Sequence, residues 1–351
     1  MTGTEPLGRI GVVANPCAGA GPDVLRAVLS GLFSRLREGD VVLNERTFEA
    51  AEADACGLEC TKVHGPAGDA RRLTEALLAA GVETVIGVGG DGTLGEIATA
   101  LALGENGVRL LGIGIGSSNV GPLVGASFGE LDAFFDAPWV GVAVHALDVR
   151  VGGTQVGMAF HDAGPANTYF GTRNGRRVDL DAAAALHGID RPAEPASVCG
   201  AGTWIAKNGR RCLSGQETAG GQIVASPLND VGECRGKAVS GFLCWGPYVG
   251  CRGVVAVSSA VMIRTRLSRE DLCAAEPLRL FHLGLAPEDV VEFGGLPRGA
   301  VVVVDGTPRL ELAPEMTVSI RALEGAVVSI RRESGRVDVS MKEEGCNTAG
   351  S

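Results

Sequence analysis

The chain has 351 residues, 45% of them hydrophobic, with 53 glycines and a formal charge of −10. That length suffices for two domains with cores of their own, and the negative balance excludes a protein that wraps nucleic acid through a basic face. No apolar run reaches the ~18–20 residues of a membrane-spanning helix, and MTGTEPLGR at the start lacks the basic and apolar regions of a signal peptide, so a cytoplasmic protein is expected. The ten cysteines form no CxxC pair and no zinc-type cluster, since Cys56 and Cys60 have only His64 nearby. They are expected to be reduced, small apolar fillers.

Taken in order, residues 9–14 (RIGVVA) predict a buried strand. Residues 22–37 predict a helix, with Val24, Leu25, Val28, Leu29, Leu32 and Phe33 at helical spacing and Pro22 in the first turn. A second helix is predicted over 69–80, with Asp69 as N-cap and Gly81 just past its end. VETVIGV (82–88) reads as a strand, LGEIATALAL (94–103) as a helix and VRLLGIGI (108–115) as a strand. Such alternation implies a mainly parallel, Rossmann-like sheet covered by helices, because parallel neighbours need a crossover. Sheets of that kind bind ligands at the carboxyl ends of their strands.

Beyond residue 150 the helical signals thin out. The β-prone runs HALDVRV, QVGMAFHD, ASVCG, GQIVAS, AVSGFLCW, GVVAVSSAVMIRTRL, VEFGG, AVVVVDG, TVSIRAL and AVVSIRRE follow, many separated by turns such as Asn174-Gly175 and Asn208-Gly209. The reading is an α/β N-terminal domain followed by an all-β, sandwich-like domain. Residues 1–148 would form the α/β domain, 149–333 the β-rich domain, and 334–351 a polar tail that frays.

Chemistry concentrates in VIGVGGDGTLGE (85–96). A glycine-rich turn between strand and helix lets backbone N–H groups approach an anion, and the helix adds the positive end of its dipole. That is a phosphate cradle. Asp91 beside it would repel phosphates unless it has a task, such as taking a proton from an attacking hydroxyl or holding a Mg²⁺ shell. The plain alternative is a tight turn with Asp91 capping the helix. Neither the P-loop nor the dinucleotide glycine pattern fits GVGGDG.

GGDGT after a strand, VVANPCAGAG (12–21), GMAFHDAGPANTYFGTR (157–173) and VVVVDGTPRLELAPEMTVSIRA (301–322) occur in one order. That set resembles the superfamily of NAD kinases, diacylglycerol kinases and sphingosine kinases, and in particular its ATP-NAD/AcoX-type members. The resemblance covers about residues 9–331, most loosely over 175–295. It implies an NAD kinase-like fold and phosphoryl transfer from ATP, with Mg²⁺, to a hydroxyl. Gly89, Gly90, Gly92 and Thr93 would cradle phosphates, with Asn15 supporting the nucleotide and Ser118 and Asn119 lining the cleft. Asp91 would be the catalytic residue, at the acceptor hydroxyl or the metal shell, while His161, Asp162 and Thr172 would face the acceptor. Arg173, Arg176, Lys207, Arg210 and Arg211 are further candidates to meet phosphates.

Three departures from the family pattern bear on the substrate. His161-Asp162 stands where NAD kinases carry Asn-Glu or Asn-Asp. Asp305-Gly306-Thr307 stands where bacterial lipid kinases carry DGE, and Thr307 cannot serve as their base. Gly116-Ser117-Ser118-Asn119 lacks the acidic member of the lipid-kinase GTxND loop. The expected function is therefore an ATP-dependent kinase of a soluble hydroxylated small molecule, NAD⁺ the leading candidate and another metabolite the next. A lipid kinase and a non-catalytic nucleotide-binding regulator are the alternatives. A homo-oligomer is expected, with neither nucleic acid nor membrane as partner.

Overall fold

The computed structural model describes residues 7–16, 18–36, 41–44, 47, 60–63, 69–104, 107–116, 119, 121–173, 176–229, 250–266 and 278–332. Strands β1 (Ile10–Ala14), β2 (Val41–Asn44), β3 (Cys60–Val63), β4 (Thr84–Gly89) and β5 (Arg109–Gly114) run parallel in the order 3-2-1-4-5. The order reverses between β1 and β4, so a crevice opens at the carboxyl ends of those two strands. β6 (Val124–Ser127) adds in parallel to β5.

Helices cover both faces. α1 (Pro22–Phe33) starts on Pro22 and buries Leu25, Val28, Leu29, Leu32 and Phe33, its apolar stripe meeting β1, β4 and β5 on one face. On the other lie α2 (Ala70–Ala79), whose N-cap Asp69 accepts a hydrogen bond from Arg72 N, and α3 (Asp91–Gly104). α3 sits unusually close to β4, because a Cβ on Gly87 would lie 2.7 Å from Ile97 Cδ1 and 2.8 Å from Leu94 Cδ2. The short α4 (Leu131–Phe135) packs Leu131 and Phe134 beside α1.

The second half is β-rich. β7 (Trp139–Val151) pairs with β8 (Thr154–Ala159). A second sheet has the order β16 (Leu280–Leu285), β15 (Gly253–Ser258), β14 (Gln222–Pro227), β9 (Ala163–Ala166), β18 (Val301–Val304) and β19 (Thr307–Glu311). β10 (Thr168–Arg173) and β11 (Arg176–Asp181) form a separate two-stranded hairpin. β12 (Trp204–Lys207), β13 (Arg210–Ser214) and β17 (Val290–Gly294) extend the first sheet through β20 (Val318–Arg332). Apolar residues of both sheets, among them Leu147, Val255, Phe293, Val302 and Ile320, close one core between them.

Several elements differ from the sequence reading. TVSIRAL and AVVSIRRE are one strand, β20, whose upper end runs parallel to β5 (Val328 beside Arg109) while its lower end pairs with β17. Residue 148 lies inside β7, which pairs with β20 along nearly its whole length. ASVCG is irregular, and the strand begun at Gly253 stops at Ser258. The β-rich half also holds the one-turn helices α5 (Ala182–Ala185), capped by Asp181, and α6 (Gly215–Thr218), closed by a Ser214/Glu217 capping box. Local hydrogen bonds at those caps make single turns of helix within a half read from sequence as all-β. AVSGFLCW, Cys56, His64, Asn174, Gly175 and the 334–351 tail lie outside the described residues. Cys199 and Cys251 are buried free thiols, and burial pushes the Cys199 thiol up to about 12, as an inert filler requires.

Candidate functional site

A cleft of about 600 Å³ opens where β1 and β4 end. On one wall stand Asn15, Ala18, Gly19, Gly90, Asp91, Gly92, Thr93 and Gly116, and on the other His161, Asp162, Phe170, Gly171, Thr172, Arg177, Asp305 and Gly306. The reading from sequence placed Asn15, Gly90, Asp91, Gly92, Thr93, His161, Asp162 and Thr172 here, and the fold brings all eight together.

The glycines differ in task. Gly89 is buried and does not line the cleft; a Cβ there would lie 2.7 Å from Thr93 Cβ, so its bareness lets the first turn of α3 close against β4. Gly92 is exposed, and an added Cβ would meet nothing within 4 Å beyond its own helix turn and chain neighbours. It would enter the space above the first turn of α3, where amide groups have no intrahelical partner and the helix dipole is positive. Asn15 holds that turn in register, its Nδ2 donating to Thr93 Oγ1 at 2.8 Å while its own N–H donates to Val88 O at 2.9 Å. Asn119 turns away from the cleft lining: its Oδ1 accepts from Gly116 N (2.8 Å) and its Nδ2 donates to Gly116 O (3.1 Å), which pins the β5–β6 loop. Ser118 lies outside the described residues.

Asp91 opens α3, and its Oδ1 accepts from Gly121 N at 3.1 Å. His161 Nε2 approaches the same oxygen to 3.8 Å, beyond hydrogen-bond range. That nitrogen is shielded from solvent and makes no hydrogen bond. The Asp91 carboxylate raises the His161 pKa above the ordinary imidazole value; burial opposes the shift, and Asp305 and Asp162 add to it.

Asp305 explains how His161 is held. Its carboxylate accepts from three successive backbone N–H groups, Phe160 (2.9 Å), His161 (2.8 Å) and Asp162 (3.1 Å), while its own N–H donates to Asp162 O (2.9 Å). Ser226 Oγ donates to His161 O at 2.7 Å. Asp305 takes a left-handed conformation, φ 46°, which non-glycine residues seldom adopt outside such local hydrogen-bonded turns. Enclosure of the carboxyl pushes its pKa up to about 6 against the pull of the three N–H groups.

Asp305, Gly121 and Arg177 were not among the expected site residues. Asp305 stood in a recognisable DG pair, and its φ > 0 suits an Asp before Gly. Gly121 left no signal beyond one glycine among many. Arg177 sits directly opposite Thr172 in the β10–β11 hairpin, and it is the one Lys or Arg among the described residues lining the cleft. Arg173, Arg176, Lys207, Arg210 and Arg211 do not line it. Lys207 instead pairs with Asp289 at 2.6 Å, and Arg211 stacks 5.2 Å over Trp204.

A second, smaller cavity of about 130 Å³ adjoins the cleft and shares Asp162, Phe170 and Gly306 with it. Its other walls are mostly apolar, among them Pro165, Tyr169, Ile223, Ile263 and Val303.

A crevice at a sheet's switch point, with an open helix N-terminus over a glycine turn and a carboxylate on the helix's first residue, is a place suited to a phosphate-bearing ligand. The family model for the diacylglycerol kinase catalytic domain matches residues 10–123. An uncharacterised protein of Archaeoglobus fulgidus is 28% identical over 324 residues, covering 86% of this chain and 97% of that protein. A probable YegS-like lipid kinase of Pseudomonas fluorescens is 31% identical over 209 residues, covering 55% of this chain and 69% of the relative. Among solved structures, yeast NADH kinase complexed with NADH superposes with a TM-score of 0.53 at 11% identity, covering 94% of this chain and 85% of that one. A putative diacylglycerol kinase from Bacillus anthracis superposes with a TM-score of 0.52 at 14% identity, covering 92% and 97%; both likenesses are of fold. The chain belongs to the diacylglycerol kinase and NAD kinase superfamily and is a phosphotransferase.

The family implies ATP as phosphoryl donor, and the wall formed by Gly90, Gly92 and Thr93 fits phosphates, since the space a Gly92 side chain would fill is open. Among the described residues no group of three His, Cys, Asp or Glu could hold a metal ion. Mg²⁺ beside phosphates ordinarily keeps several waters and takes phosphate oxygens with one or two carboxylates. Among the described residues no helix is long and apolar enough to cross a membrane.

Proposed function

We propose that this chain transfers the γ-phosphoryl group of ATP to a hydroxyl of a small molecule that has an apolar portion next to that hydroxyl. The backbone of Gly90–Thr93 and the N-terminus of α3 hold the triphosphate, and Arg177 faces it across the cleft. Asp91 accepts a hydrogen bond from the acceptor hydroxyl and orients its oxygen toward the γ-phosphorus. Positioning and charge compensation supply most of the rate in such transfers. Mg²⁺ would add neutralisation of the phosphate charge. The observation that carries the reading is the convergence of Asp91 and the Asp305-clamped His161 on one point beside the phosphate wall.

The acceptor side favours a molecule with a ring or a short apolar segment, because the smaller cavity beside Asp162 is lined by Pro165, Tyr169, Ile223 and Val303. NAD⁺ remains the leading soluble candidate. His161 offers one donor and one acceptor on opposite ring edges where an amide would offer both side by side, so a smaller hydroxyl compound is the next candidate. A lipid acceptor is the second reading, supported by the YegS-like relatives and the apolar cavity, and opposed by Thr307 in place of a glutamate. The test is ADP release from MgATP over a panel of NAD⁺, nucleosides, polyols and diacylglycerol in mixed micelles. Acceptor-dependent turnover abolished by Asp91→Asn is expected, and turnover insensitive to that change would refute the assignment.

A further inference from the structure

We propose that His161 is the proton acceptor of the transfer, working as a dyad with Asp91: the acceptor hydroxyl sits between His161 Nε2 and Asp91 Oδ1 and gives its proton to the imidazole. This rests on the kinase reading above and extends it. Three observations carry it. His161 Nε2 is shut off from water in the ligand-free protein yet makes no hydrogen bond, a cost to the fold that a ligand group meeting it would remove. The gap to Asp91 Oδ1 is 3.8 Å, too long for a direct bond, and both residues line the cleft, so an acceptor oxygen reaches both atoms once the imidazole turns toward it. Both partners are fixed from behind. Gly121 N–H holds the carboxylate, and Asp305 and Ser226 hold the His161 backbone through its N–H and C=O.

The step balances. The acceptor O–H bond breaks and its proton passes to the lone pair of neutral Nε2. The oxygen forms a bond to the γ-phosphorus, and the bond from that phosphorus to the bridging oxygen breaks, ADP leaving with the electron pair. Asp91 stays ionised throughout and stabilises the imidazolium, as an acidic partner does for a histidine base. The charged groups facing the imidazole are Asp91 from α3, Asp162 beside it in sequence and Asp305 from the β18–β19 turn. All are acidic, so all favour the protonated product. Arg177 lines the same cleft from the hairpin.

The dyad can be told from a carboxylate acting alone. Were Asp91 the sole base, turnover would survive loss of the imidazole. With His161 as base, ADP release rises with pH through an apparent pKa above the ordinary imidazole value, because the base must be neutral.

The experiment measures ADP release from MgATP across pH 5–9, with NAD+ as acceptor and with water alone, for the full chain and its variants. His161→Asn is expected to lower the rate ~10²–10⁴-fold, the usual span for a lost general base, and to abolish the rising limb. His161→Gly should recover part of the rate when free imidazole is added. Independently, NMR titration of the His161 ring in the ligand-free protein should show a raised pKa that falls in Asp91→Asn. A limb that persists in His161→Asn, or a loss under tenfold, overturns the proposal, as does a His161 titration indifferent to Asp91→Asn. A native protein that releases no ADP under any condition would instead overturn the kinase reading, and the NMR titration would still decide the coupling.

Discussion

Replacing Gly121 by alanine adds one methyl group at the point where the site is tightest. Its Cβ would lie 2.5 Å from His161 Nε2 and 2.8 Å from Asp91 Oδ1. Ordinary contact begins at 3.4 Å, so the two groups must retreat by roughly 0.9 and 0.6 Å. The carboxylate is held by the Gly121 N–H, and the imidazole must turn on a backbone that Asp305 keeps in place. A shift of that size in a reacting group costs on the order of 10²-fold in rate, or about 3 kcal/mol of transition-state stabilisation. The phosphate wall is untouched, so the fall should appear in kcat with KM for ATP unchanged, while overpacking costs stability by about 1–2 kcal/mol. Steady-state kinetics on the purified variant, beside a thermal melt, supply both readings. A Gly121→Ala protein with kcat within threefold of native would refute the claim that the 91–161 approach governs the chemistry. A rise in KM for ATP alone would place Gly121 in nucleotide binding instead.

Gly92→Val should leave the ligand-free protein as stable as native, because nothing in the fold meets a side chain there. It should weaken ATP at least tenfold by intruding on the phosphate space, as calorimetric titration would report; unchanged affinity would remove Gly92 from the cradle. Asp305, with its pKa raised from 3.8 to about 6, binds its proton more tightly folded than unfolded. Its contribution is therefore fully present below about pH 4 and declines as pH rises to about 6, by up to ~3 kcal/mol. Urea denaturation of native and Asp305→Asn proteins between pH 4 and 7 should show that slope in the first and not the second, and parallel curves would contradict it.

What could be read from the sequence was local. Four mostly apolar, β-prone residues running into Gly89-Gly90-Asp91 marked a strand, a turn and a helix start, because strand propensity, glycine and helical spacing act within one short window. The pairs that build the acceptor side are distant in sequence. Asp305 meets Phe160–Asp162 only after β8, β9 and β18 have come together, and no pattern near residue 305 announces which amides it will accept. Asn119 looked like a ligand because polar residues at strand ends often are. Its side chain has a nearer partner in the backbone of Gly116, and a short amide that can close its own loop does so. Gly89 carried the same letter as Gly92 with a different duty, which depended on where Thr93 would lie. Tertiary neighbours decided those cases.

The long strand β20 has a consequence for how the molecule comes into being on the ribosome. Its Val328 and Ser329 lie against Arg109 and Leu110 of β5, and Ile330 is wholly enclosed in the core beneath α1. Until those residues have been synthesised, β5 lacks its partner beside Arg109 and Leu110, the stretch that β6 does not cover. Such an edge invites pairing with other chains, and contacts so far apart along the polypeptide form slowly. The amino-terminal half, though made first, cannot finish folding first. A chain stopped just short of residue 318 should yield aggregates instead of a free-standing amino-terminal half.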